Sequence, residues 1–328
     1  MLKRLLIILL SMSLLLSLLS CSPKKDEEKI TILCTLFPQY DWLRNITDGS
    51  DTIELKLLIA NGSDPHSYQP TAKDIADISN CDMIVYIGGD SDTWVKKAIE
   101  RSKNEKIKSV VLSELESVML RNISAESHSH DEHDHEDHEE HEGHSHAAFD
   151  EHLYLSLKNA AAITKELANE LCSLDSANEE LYRKNAESYI SKLLELDSSF
   201  AQKIANADEE PFMLFADRFP FVYLLSDHNI SYSAAFESCT TDTNAGFDTV
   251  IRLIKEAELH KVKYITVTET SDKALAETVI SSTQTKDQKI AVLHSLQAVN
   301  ESQIKNGITY LSVMQDNINS ILIATGIE

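Results

Sequence analysis

The sequence has no GxGxxG fingerprint, no glycine loop able to cradle a phosphate and no grouping of nucleophile, base and orienting acid. Dinucleotide binding, phosphoryl transfer and covalent hydrolysis therefore have no foothold in it. None of the five cysteines falls in a CxxC pair, which excludes a cysteine zinc site. Basic residues are few: 30 Lys and Arg face 53 Asp and Glu, for a formal charge of −23. Such a surface repels a phosphate backbone, so nucleic acid is set aside as a partner. After the leader-like start, no apolar run approaches the ~20 residues that a membrane-crossing helix needs.

What is present fits a soluble α/β body on a leader. At 328 residues, 42% hydrophobic and 25% charged, the chain is long enough for two ordinary domains. Lys3 and Arg4 form a positive n-region, and Leu5 to Leu19 an apolar h-region broken only by serines. The run ends in Leu18-Leu19-Ser20-Cys21, which resembles a bacterial lipobox, although Leu19 is bulkier than usual at its position. Residues 1–20 are read as a signal peptide and 21–29 as a polar tether carrying lipid on Cys21. The alternative is an ordinary secretory signal with an incidental cysteine. Either way the body is expected outside the cell, where disulfides are permitted. Cys34 and Cys81 lie in apolar strand-like runs and could bridge; buried free thiols at these and at Cys172 and Cys239 are the other reading.

The hydrophobic pattern alternates between strand and helix. Strands are expected at Ile30–Phe37, Ile53–Ala60, Met83–Ile87 and Ile107–Leu112, with helices at Tyr40–Ile46, Thr71–Ser79 and Asp92–Arg101. Thr71 and Asp74 have the spacing of a capping box. A second alternation runs from Phe212 to the closing helix Gly307–Ile323, through strands at Phe212–Phe215, Tyr232–Phe236, Tyr264–Thr268 and Ile290–Leu293. Between them, Ser176 to Asn206 has no Pro or Gly and an apolar stripe through Leu181, Tyr189, Leu193, Leu196, Phe200 and Ile204. This predicts an α/β lobe over 30–175, a linking helix over 176–206 and a second α/β lobe over 207–328, each lobe with a parallel sheet.

Histidine carries the chemistry. Glu126 to His146 holds eight histidines and nine carboxylates and almost nothing apolar, so it is expected as a loop outside the fold. His128, His130, His133, His135, His138, His141, His144 and His146 suit Zn²⁺ and its neighbours. The tract contains HEDH, HEEH and HEGH but no HExxH, so a zincin protease is not indicated. It reads as a low-affinity collector, with a solvated linker as the bland alternative. A selective site needs ligands on folded elements. Five histidines lie outside the tract, and three of them, His66, His152 and His294, follow strands or sit where the chain re-enters the fold. In open parallel sheets, ligands bind at such strand ends. His228, in a loop, and His260, at a helix C-terminus, read as structural.

NGSDPHSYQPTAKDIADIS, the His-rich loop, FDEHLYLSLKNAA, the long helix and GITYLSVMQDN together resemble the zinc and manganese solute-binding proteins of ABC importers, over nearly the whole mature chain. The resemblance implies two Rossmann-like lobes joined by a rigid helix, with the metal in the cleft between them. It implies ligands at His66 and His152. Two positions depart from the family pattern. The third ligand normally falls in a motif like F-H-D-x-F, which here reads FADRFPF with Ala216 at the ligand position. The fourth, usually Asp in a motif like L-D-P-L, is replaced in LHSL by His294. The expected set is therefore His66, His152 and His294, with water or a carboxylate of Asp217, Glu237 or Glu269 as fourth ligand. Three nitrogens favour Zn²⁺ over Mn²⁺.

These readings converge on an extracytoplasmic, lipid-anchored, monomeric carrier that captures Zn²⁺ and passes it to an importer's permease, driven by a separate ATPase. The alternatives are a surface zinc hydrolase and a metal-buffering adhesin without a transporter. One consequence is direct. Cys21→Ala should move the protein from the membrane fraction to the soluble fraction without changing zinc affinity, because Cys21 is far in sequence from every expected ligand. Unchanged membrane retention on fractionation would contradict the lipid anchor.

Overall fold

The computed structural model describes residues 29–122, 149–236 and 245–327. The signal segment with Cys21, the tether apart from Lys29, the histidine tract, Glu237 and Cys239 lie outside the described residues.

Two four-stranded parallel sheets organise the chain. The first contains β1 (Ile30–Cys34), β2 (Ile53–Leu57), β3 (Met83–Tyr86) and β4 (Lys108–Val111) in the order β2-β1-β3-β4. The second contains β5 (Phe212–Phe215), β6 (Ser231–Ala234), β7 (Tyr264–Thr268) and β8 (Lys289–Leu293) in the equivalent order β6-β5-β7-β8. The strand chemistry follows position. β3, with the sequence MIVY, is buried at all four residues, as a central parallel strand covered on both faces must be. The edge strand β4 begins with two exposed residues, Lys108 and Ser109.

Ten helices connect the strands among the described residues: α1 (Phe37–Ile46), α2 (Ala72–Ser79), α3 (Thr93–Arg101), α4 (Leu157–Leu174), α5 (Glu179–Ala205), α6 (Val222–Ser226), α7 (Phe247–Leu259), α8 (Ala274–Ser282), α9 (Glu301–Lys305) and α10 (Tyr310–Thr325). α2 starts as its capping residues require: Thr71 accepts the Asp74 N–H, and Asp74 accepts the Thr71 N–H. α1 begins at Phe37, earlier than the sequence pattern suggested, with Pro38 in its first turn. There the missing N–H costs no intrahelical bond, so proline opens the helix instead of ending the strand.

The long helix α5 has 27 residues and spans about 40 Å. Its buried face is Tyr182, Ala186, Tyr189, Leu193, Asp197 and Phe200, while Leu181, Leu196 and Ile204 are only partly covered. The N-terminal part packs on α4 and α1 of the first lobe. The far end meets the second lobe, where the Phe200 ring lies 4.3 Å from the His228 ring and Asp197 lies 3.1 Å from His228 Nε2. His260 caps α7 and stacks on Phe212 at 3.6 Å. Both histidines are thus taken up in packing, as their positions suggested.

The lobes are not independent. One apolar cluster runs from Ile32, Trp42 and Leu155 through Tyr189 and Phe200 to Phe215, Phe221, Leu293 and Met314. The terminal helix α10 crosses back to the first lobe. Its Tyr310 ring meets Trp42 edge-on at 5.3 Å, its N–H donates to Asp41 at 2.8 Å, and its hydroxyl donates to the Tyr154 carbonyl at 2.7 Å. A core shared in this way joins the lobes through close-packed buried contacts. Cys34, Cys81 and Cys172 are free and buried, so the Cys34–Cys81 bridge does not form here, and burial pushes the Cys81 thiol up to about 12. Among the described residues no helix is long and apolar enough to cross a membrane.

Trp42 is fully buried at the contact between the lobes. Trp42→Ala should cost about 3–5 kcal/mol in a denaturant titration. A loss under ~1 kcal/mol would mean that this seam is not part of the cooperative core.

Candidate metal centre

His66 follows β2 on a single tight turn, Pro65–Ser67. Asp64 builds that turn. Its Oδ1 accepts the His66 N–H at 3.0 Å, while its Oδ2 pairs with the Arg218 guanidinium from the second lobe. Burial opposes ionisation of Asp64, but Arg218 and the His66 N–H outweigh it and hold the carboxyl below its ordinary value.

His152 repeats the arrangement. It opens the turn Leu153–Leu155, where the chain re-enters the fold. Asp150, two residues before it, accepts its backbone N–H at 2.9 Å and its Nδ1 at 2.8 Å through the same Oδ1. The carboxylate fixes the tautomer: Nδ1 carries the proton, and the Nε2 lone pair points away from Asp150. Asp150 is itself held from both sides. Its N–H donates to the Arg121 carbonyl at 2.8 Å, and its carbonyl accepts from the Tyr223 hydroxyl of α6 at 2.8 Å. The same hydroxyl accepts the Arg121 N–H at 3.0 Å, and the Arg121 side chain pairs with Asp227 at 2.8 Å. Burial pushes the Tyr223 phenol up to about 12, so it remains a donor at neutral pH. Glu151, between Asp150 and His152, reaches back to Ser91 and passes so close to Gly89 that any side chain there would collide with it.

The His66 and His152 rings come together with centroids 5.6 Å apart. Between them lies a side chain that the sequence reading did not single out. The Gln297 amide sits 3.0 Å from His66 Nε2 and 2.7 Å from His152 Nε2. It donates N–H groups to two imidazole lone pairs that face the same point. Gln297 follows β8 by four residues, in the strand-end region where ligands gather, and that position was the one available clue.

His294 is placed differently. Its backbone is clamped by Asn317, which accepts its N–H at 2.7 Å and donates to its carbonyl at 2.9 Å. Its ring Nδ1 accepts the Leu296 N–H at 3.0 Å. A neutral imidazole has one lone pair, so Nε2 then carries the proton and cannot ligate a cation in this state. Leu296, with φ at +63°, makes the reversal that brings its N–H back to His294.

The expected carboxylates are also committed. Asp217 Oδ2 accepts from the Thr268 N–H at 2.9 Å and the Thr268 hydroxyl at 2.6 Å, and its Oδ1 accepts the Arg218 N–H. Glu269 accepts the Ser295 N–H at 2.8 Å and the Ser295 hydroxyl at 2.7 Å, with His294 Nδ1 at 3.4 Å. Ala216 is buried at the end of β5 and bonds through its backbone to Thr266. Among the described residues no three His, Cys, Asp or Glu side chains are grouped to hold one ion. The structure thus brings His66 and His152 together, joins Gln297 to them, and turns His294, Asp217 and Glu269 to other partners. Glu237 and the eight tract histidines lie outside the described residues.

Comparisons with known proteins agree with this architecture. A family model described as zinc-uptake complex component A, periplasmic, matches residues 32–324. The zinc-binding lipoprotein AdcA of Streptococcus pneumoniae is 29% identical over 305 residues, which cover 93% of this chain and 58% of that protein. The chain therefore spans little more than half the length of that relative. The high-affinity zinc uptake system protein ZnuA of Bacillus subtilis is 28% identical over 300 residues, covering 92% of this chain and 89% of that one. The Zn(II)-bound ZnuA-like domain of S. pneumoniae AdcA superposes with a TM-score of 0.70 at 26% identity, covering 90% of this chain and 99% of the domain.

Proposed function

We infer the function from one premise: this chain belongs to the zinc-uptake complex component A family, whose model spans 32–324. It is a carrier that captures Zn²⁺ outside the cytoplasm and delivers it to the permease and ATPase of an ABC importer. It acts as a monomer tethered by lipid on Cys21. The observation that carries the reading is the pair of imidazole nitrogens, His66 Nε2 and His152 Nε2, converging on one polar group, the Gln297 amide.

His66 and His152 are the two fixed ligands, and Gln297 supplies the third donor. Its amide now offers N–H to both rings, and rotation about its last side-chain bond exchanges nitrogen for oxygen. The amide oxygen then faces the ion while the backbone stays in place. A fourth position is left for water. Two nitrogens and one neutral oxygen suit Zn²⁺ better than Mn²⁺, which prefers oxygen donors. His294 shapes the turn that carries Gln297 and joins the ligand set only if it gives up the Leu296 N–H. The histidine tract, His128 to His146, collects zinc at lower affinity and lies within a few residues of His152 in the chain. Release to the permease requires only a small relative tilt of the lobes, because two ligands belong to the first lobe and Gln297 to the second.

Zinc titrations on purified variants, read against a competing chelator, test this assignment. His66→Ala and His152→Ala should each weaken tight binding at least about a hundredfold, or ~2.8 kcal/mol. Gln297→Glu should tighten it, since a charged oxygen replaces a neutral one. His294→Ala should change it less than about tenfold, ~1.4 kcal/mol. Deletion of 126–146 should remove only a weaker class of sites. Tight binding that survives loss of both His66 and His152 would overturn the carrier site, and a hundredfold loss in His294→Ala would return His294 to the ligand set.

A further inference from the structure

The two first-lobe histidines are held by the same local device, used twice. In Asp64-Pro65-His66 and in Asp150-Glu151-His152, an aspartate accepts the backbone N–H of the histidine two residues later, at 3.0 Å and 2.9 Å. Each aspartate is gripped in turn from the second lobe. Arg218 pairs with the Asp64 carboxylate, and Tyr223 donates to the Asp150 carbonyl at 2.8 Å. Arg218 and Tyr223 lie on one short segment, between the end of β5 and the end of α6, and this segment is well anchored. Asp217 ties it to Thr268 of β7, the Tyr223 ring is buried, and Asp227 at its far end pairs with Arg121 and accepts from Ser156 of the first lobe.

From this we propose that Arg218 and Tyr223 are positioning residues of the metal centre: through Asp64 and Asp150 they couple the seating of the second lobe to the orientation of both first-lobe imidazoles. Neither touches the ion. The inference rests on the reading of His66 and His152 as the zinc ligands. Its physical content is that a tilt of the second lobe withdraws one guanidinium and one hydroxyl together, so both imidazole mounts loosen in the same movement. Removal of both grips should cost less than the sum of the single losses, because the segment acts as a unit.

The test uses the purified full chain loaded with Zn²⁺ or, as a spectroscopic probe, with Co²⁺. Arg218→Met keeps the aliphatic stem and deletes the ion pair; Tyr223→Phe keeps the ring and deletes the hydroxyl. Each should raise the zinc dissociation constant by about tenfold, chiefly through faster release, and each should shift the Co²⁺ d–d absorption that reports ligand geometry. The double variant should fall short of the product of the two effects, and Arg218→Lys should recover part of the Arg218 loss. If both variants merely lower the melting temperature, with zinc affinity within about twofold and an unchanged Co²⁺ spectrum, their role is structural and the proposal fails. If His66→Ala and His152→Ala leave the wild-type affinity and spectrum intact, the metal reading fails and the positioning role fails with it.

Discussion

An imidazole has two nitrogens and, when neutral, one lone pair. Two histidines can serve one cation only if both present the bare nitrogen to the same point. Everything around the candidate centre follows from that constraint. Asp150 accepts a hydrogen bond from the Nδ1–H of His152 and leaves Nε2 bare. The Gln297 amide reads out the result, since it can donate to both Nε2 atoms only if both are acceptors. His294 differs from both, since its Nδ1 accepts the Leu296 N–H. Proximity to a strand end gave three histidines equal standing; hydrogen bonding separates them.

Much of the fold was legible because it depends on local rules. β5 and β7 have the limits that their apolar runs suggest, since both are buried central strands bounded by turns. The start of α2 could be read from Thr71 and Asp74 alone. Errors arose where a residue has two uses. Pro38 ends strands in most patterns, yet here it occupies the first turn of α1. On α5 the sequence stripe included Leu181 and Leu196, whereas the helix buries Tyr182, Ala186 and Asp197. The rotation of a helix that touches two lobes is set by both partners, and its own pattern cannot fix it.

His66 and His152 stand out in the sequence, whereas Gln297 does not. His66 and His152 stand in motifs with a strong likeness to the zinc-uptake family, and the fold brings their rings within 5.6 Å. Gln297 did not stand out, because glutamine is an ordinary surface residue and its place just after β8 was the one clue. Its role arises from the left-handed Leu296, which only the folded turn displays. Asp217 and Glu269 looked available as ligands because a sequence does not show which carboxylates already have partners; here each accepts two bonds from a neighbouring strand end or turn.

In the proposed centre, the place of an imidazole at Ala216 is taken by the neutral amide of Gln297 rather than by His294. The most direct measurement is a crystal structure of the zinc-loaded protein with anomalous scattering at the zinc edge. One strong peak is expected in the cleft, about 2.0–2.1 Å from His66 Nε2 and from His152 Nε2, with the Gln297 amide oxygen as third donor. A peak bound instead by His294 and Glu269, with the Gln297 amide still donating to both imidazoles, would contradict this assignment.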